Sequence, residues 1–89
     1  MSIVFDTRLD WDDKTEEYRF PAVVNRHVVQ CIVTKGAMTI ALEVPPEELR
    51  NSESFVKHRG VIRAVARKLI EEGRKESGEI YIREGDFES

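Results

Sequence analysis

One segment limits the possible folds more than any other: residues 54–74 carry apolar and basic side chains at helical spacing on two separate faces. At about 100° per residue, Phe55, Ile62, Val65, Ala66 and Leu69 fall on a single stripe, the pattern of a helix that buries one side. Arg59, Arg63 and Arg67 recur every four residues beside that stripe, and Arg74 lies seven positions further on. The expectation is one long helix over 54–74 that packs its stripe on other elements and presents a strongly basic flank. The chain around it is acidic, with a formal net charge of −3.

Its 89 residues suffice for one modest core, so residues 1–89 read as a single domain. A hydrophobic fraction of 40% and a charged fraction of 35% fit a globular rather than a disordered chain. No apolar run approaches the roughly 20 residues that cross a bilayer, and Met1-Ser2-Ile3-Val4-Phe5-Asp6 does not resemble a secretory leader. Cys31 stands alone and forms no internal disulfide, so the expected location is cytoplasmic. The charge is unevenly spread. Residues 1–17 hold Asp6, Asp10, Asp12, Asp13, Glu16 and Glu17 against Arg8 and Lys14, a balance of −4. Residues 57–68 hold Lys57, Arg59, Arg63, Arg67 and Lys68 with no acid, a balance of +5. Such a dipole steers a partner or pairs one part of the protein with another.

Ile3-Val4-Phe5 is β-prone, whereas Asp10-Trp11-Asp12-Asp13-Lys14 reads as a turn from which Leu9 and Trp11 fold back onto the domain. Tyr18-Arg19-Phe20 alternates as a strand, and Pro21, lacking an N–H, puts that strand at an edge or a bend. Residues 28–34 form the best strand, with Val29, Cys31 and Val33 on one face, after a short hairpin loop at Asn25-Arg26-His27. Thr34 can cap a short helix that buries Ala37, Met38, Ala41 and Leu42, with a strand over 36–42 as the competing reading. Pro45-Pro46-Glu47-Glu48 is a helix start, and Asn51 or Ser52 would cap a fresh one. Gly73 and Gly78 bracket the end of the main helix, residues 79–83 alternate as a last strand, and 84–89 reads as a frayed tail. The fold class is therefore α+β: a small antiparallel sheet, N-terminal strands plus a C-terminal one, packed against a short helix and one long helix.

Several of these positions also resemble a family of small, mainly proteobacterial proteins classed as a domain of unknown function. They are Ile3-Val4-Phe5 followed by Trp11, Phe20 with Ala22, and Val29-x-Cys31 leading into Thr34-x-x-Ala37-Met38. Next come Phe55-x-x-His58-Arg59-x-x-Ile62 with Ala66 and Ile70, and then Gly78-x-Ile80. The resemblance spans nearly the whole chain, and it implies a compact α+β fold with no established activity.

Catalytic constellations are sparse. Cys31 would need His27 or His58 as its base, yet it sits mid-strand between valines, where a thiol behaves as a small hydrophobe. Asp10, Asp12 and Asp13 suggest a calcium loop only superficially, because Thr15 and Pro21 stand where an EF-hand needs glycine and glutamate. The two histidines and one cysteine lack zinc spacing, and no glycine cluster offers a phosphate cradle. The expectation is a non-enzymatic accessory module without cofactor or metal. Arg59, Arg63 and Arg67, with His58 at the edge, are its candidate binding residues for an acidic protein surface or a second copy. The alternative is weak nucleic-acid binding through the same flank, which a pI near 5.4 and the lack of interleaved aromatics argue against. If the flank is only structural, Arg59 lies over the core and pairs with Asp10 or Asp12.

Overall fold

The β-branched run after the Asn25-Arg26 turn organises the sheet in the computed structural model, which describes residues 1–88. Strand β4 (His27–Val33) follows β3 (Glu17–Val24) through a two-residue turn with Asn25 and Arg26 both at positive φ, 49° and 73°. Two such residues give the type I′ geometry that matches strand twist. The register is set by Phe20 opposite Cys31 and Ala22 opposite Val29, all buried on one face. On the far side of β3, β1 (Ile3–Phe5) pairs with residues 22–24 and β2 (Asp10–Asp12) with residues 17–19, both antiparallel. Asp10-Trp11-Asp12 is thus a strand rather than the expected turn. The tilted cross-strand contact of Trp11 with Tyr18, ring centroids 4.8 Å apart, outweighs the turn propensity of the aspartates around it.

Pro21 lies inside β3, not at the sheet's edge, and its missing donor falls in the gap between β1 and β2. Asp6 N–H donates to the Pro21 carbonyl at 3.4 Å, continuing the β1 register. In a full ladder, Pro21 would return a bond to the Asp6 carbonyl, and it cannot.

The fifth strand, β5 (Glu79–Ile82), runs parallel to β4, giving the order β1-β3-β4-β5 with β2 beside β3. The sheet is therefore mixed, not antiparallel. A parallel pair needs a long crossover, which here is the helical stretch between the two strands. Thr34 starts that stretch as expected: its Oγ1 accepts from Ala37 N–H at 3.1 Å, and a π-helical turn, Ala37–Ala41, buries Ala37 and Met38. A 3-10 turn, Pro46–Glu48, then leads to Asn51, whose side chain accepts from Glu53 N–H and caps α1 (Ser52–Val56).

The long helix is in fact two. At His58 the backbone leaves helical geometry (φ −109°, ψ 9°) before α2 (Arg59–Glu71) begins. Val56, His58 and Gly60 are all weaker helix formers than alanine, and their clustering favours a junction there. The apolar stripe survives the break, because Phe55, Ile62, Val65, Ala66 and Leu69 are all buried in one core with Tyr18, Phe20, Cys31, Ile80 and Ile82. Gly73, at φ 72°, ends α2 by letting Arg74 N–H donate to Leu69 O and its own N–H to Ile70 O, 3.0 Å each. Glu84–Phe87, expected to fray, form a 3-10 turn with Phe87 packed against the core, while Ser89 of that expected tail lies outside the described residues. No helix among the described residues is long and apolar enough to cross a membrane.

One buried hydrogen bond ties the α1 segment to the sheet: Tyr18 OH donates to the Leu49 carbonyl at 2.7 Å. Burial of the Tyr18 ring raises its phenol pKa above the ordinary value. Tyr18→Phe keeps the packing but strips that carbonyl of its main donor. The expected result is a loss of about 1–3 kcal/mol of stability in chemical denaturation, and an unchanged midpoint would mean that this buried bond does not support the fold.

Candidate functional site

Arg59, Arg63 and Arg67 line one flank of α2 about 6 Å apart, the rise of four helical residues. Each guanidinium rests on an aromatic ring. Arg59 lies 5.8 Å from the Phe55 centroid, and Arg63 and Arg67 each lie 5.6 Å from that of Phe5. Phe5 belongs to β1, so Arg63 and Arg67 sit above that edge of the sheet, whereas the ring under Arg59 belongs to α1. Beneath it the rings run in contact as Phe5, Phe20, Phe55, Tyr18 and Trp11, with centroids 4.8–6.0 Å apart. Arg63 Nη2 also donates to the Asp6 carbonyl at 3.3 Å. That is the acceptor left free by Pro21, and the arginine supplies the bond the proline cannot.

Among the described residues, none of these three guanidiniums has a carboxylate within 4.0 Å. The pairing of Arg59 with Asp10 or Asp12, expected of a purely structural flank, does not occur. Asp12 instead accepts from Lys14 and Thr15 N–H at 3.0 and 3.3 Å, and those backbone bonds hold its carboxyl below the usual pKa. Its ion-pair partner is Arg19, at 3.8 Å, which also meets Glu17 and Glu79. Of the N-terminal acids, Asp6, Asp12, Asp13, Glu16 and Glu17 thus pair with Arg8, Arg19, Lys35 and Arg50 rather than with α2. Lys57 and Lys68 are exposed near the row. His58, half-buried at the junction, links the two helices through its backbone, donating to Phe55 O and accepting from Ile62 N–H.

The sequence profile described as "Protein of unknown function (DUF1488)" matches residues 3–82, which include every residue of this flank and its aromatic bed. The chain belongs to the DUF1488 family. Its fold is similar to the crystal structure of a protein of unknown function from the DUF1488 family of Shewanella loihica PV-4. That chain is 26% identical, with a TM-score of 0.78 and 92% of each chain covered. A search of curated proteins finds no match. The function of the family is unknown.

In this DUF1488 chain the cysteine is inert by position. Cys31 is fully buried, and burial pushes its thiol pKa up to about 12. Neither histidine bonds to it among the described residues. The expected outcome is that a maleimide labels Cys31 only as fast as the protein unfolds, with rapid labelling in denaturant. Fast labelling of the native protein would put a reactive thiol where the fold places a packed one. No group of three or more His, Cys, Asp or Glu among the described residues could hold a metal ion.

The sequence located the arginine row but missed its bed. Phe5 reads in the sequence only as part of a β-prone run, and the signal for its partnership was Pro21: a proline inside a strand leaves an orphan carbonyl that some other donor must satisfy.

Proposed function

We propose that this protein is a non-catalytic binding module that recognises an acidic protein surface through Arg59, Arg63 and Arg67, with His58 at the rim. The observation that carries this is the set of three neighbouring guanidiniums held over aromatic rings and free of carboxylate partners. Contact with a ring restrains each guanidinium, and those of Arg59 and Arg67 keep their N–H donors free of carboxylates, so less entropy is lost when a carboxylate arrives. A basic row serving only the fold would be expected to meet some of the chain's many acids, and among the described residues none lies within ion-pair distance of it. The same chemistry would take phosphates, but the net charge of −3 repels a polyanion at longer range.

The test is capture from native lysate with the immobilised protein, in arms with and without nuclease, beside an Arg59→Glu/Arg67→Glu variant. These two are preferred to Arg63, whose bond to Asp6 O gives it a structural duty. A protein retained after nuclease and lost with the variant supports the proposal. Retention that vanishes with nuclease replaces it with nucleic-acid binding.

A further inference from the structure

Arg63 and Arg67 overhang a strand edge whose backbone is unpaired, and the two features together define a more specific ligand. In β1 the register fixes which groups face outward. Asn25 N–H donates to Ser2 O at 2.9 Å and Asp6 N–H to Pro21 O at 3.4 Å, so Ser2, Val4 and Asp6 point their backbone groups into the sheet. By alternation, the N–H and C=O of Ile3 and Phe5 point away from it. Beta1 pairs with β3 alone among the described residues, so nothing in the sheet takes those outward groups. On the helix side of this edge stand Arg63 and Arg67, and on the opposite side Val4 is 59% exposed.

Free strand edges normally invite self-pairing. Here a symmetric β1-to-β1 pairing of two copies would bring two arginine rows together over one seam, a like-charge contact that disfavours a second copy. An acidic strand meets the opposite situation. Alternate side chains of an extended peptide recur every 6.6 Å or so on one face, close to the roughly 6 Å step of the arginine row. Its carboxylates would face the guanidiniums while the intervening small or apolar side chains lie beside Val4.

We propose that the partner segment is an extended acidic peptide that adds a strand to β1, with acids at alternate positions directed at Arg63 and Arg67. This rests on the charge recognition proposed above and names its geometry.

The probe is a short capped peptide alternating glutamate with threonine, titrated into the full chain and followed by amide NMR. Two further peptides carry backbone N-methyl groups, one on every glutamate and one on every threonine. Only one set of amides can face β1, so one N-methylated peptide should bind like the parent and the other about tenfold or more weaker. The Ile3 and Phe5 amides should gain protection from exchange, and Arg59→Glu/Arg67→Glu should abolish the parent's binding. Equal binding by all three peptides, with the variant still inactive, overturns strand addition and leaves charge recognition standing. Binding that ignores the variant overturns both. No binding of the parent peptide overturns strand addition.

Discussion

Phe55→Ala lowers the unfolding free energy by about 3–5 kcal/mol, the largest effect expected from one substitution in this chain. Phe55 is 2% exposed and its ring lies 5.2 Å from Tyr18 and 5.7 Å from Phe20, so it bridges the two sheet aromatics that face the helices. It sits on α1, a helix of five residues that cannot persist alone and is held by this ring and by the Tyr18 bond to Leu49 O. Truncation opens a cavity under the helix junction and removes the platform on which Arg59 rests. Against a typical domain stability of about 5–15 kcal/mol, much of the margin is lost, and the melting temperature should fall by about 15 °C or more. A fall of only a few degrees in calorimetry would mean that α1 is not anchored through Phe55.

Arg59→Glu/Arg67→Glu has the opposite profile: fold kept, binding lost. Arg67 is exposed and Arg59 half-buried, and what each gives the fold is one cation–π contact, about 0.5–1 kcal/mol at exposed sites. The double reversal changes the local charge by four units where a carboxylate partner would dock. Reversal places like charges across the interface, so affinity should fall by about a hundredfold or more, with faster dissociation where the pairs are desolvated. Circular dichroism and melting should stay close to those of the parent. A variant that unfolds would show the row to be part of the fold's support rather than a recognition surface.

The residues explain why some of this was legible and some was not. The stripe from Phe55 to Leu69 and the strand face of Val29, Cys31 and Val33 follow from simple periodicity, so the core composition could be read directly. The helix junction at His58 could not, because the stripe keeps its phase across it and the local cost of Val56, His58 and Gly60 is small. The parallel pairing of β5 was accessible in principle, since a strand, a long helical crossover and a second strand form a βαβ unit. The strand at Asp10–Asp12 was hidden by composition, as the cross-strand contact of Trp11 with Tyr18 overrode turn-forming aspartates. For the candidate site, helical spacing gave the arginine row, but which acids pair and which do not is a matter of three-dimensional register. Asp12 goes to Arg19 because β2 and β3 place them on one sheet face, and no spacing rule connects those positions.

The central claim is that unpaired guanidiniums on α2 are the recognition surface. Its most direct test is a calorimetric titration of the nuclease-resistant captured protein into the parent chain and into Arg59→Glu/Arg67→Glu, each at two salt concentrations. Recognition through the flank predicts one-to-one binding to the parent, weakened by salt, and heats too small to fit with the folded variant. Equal affinity for both chains would contradict it.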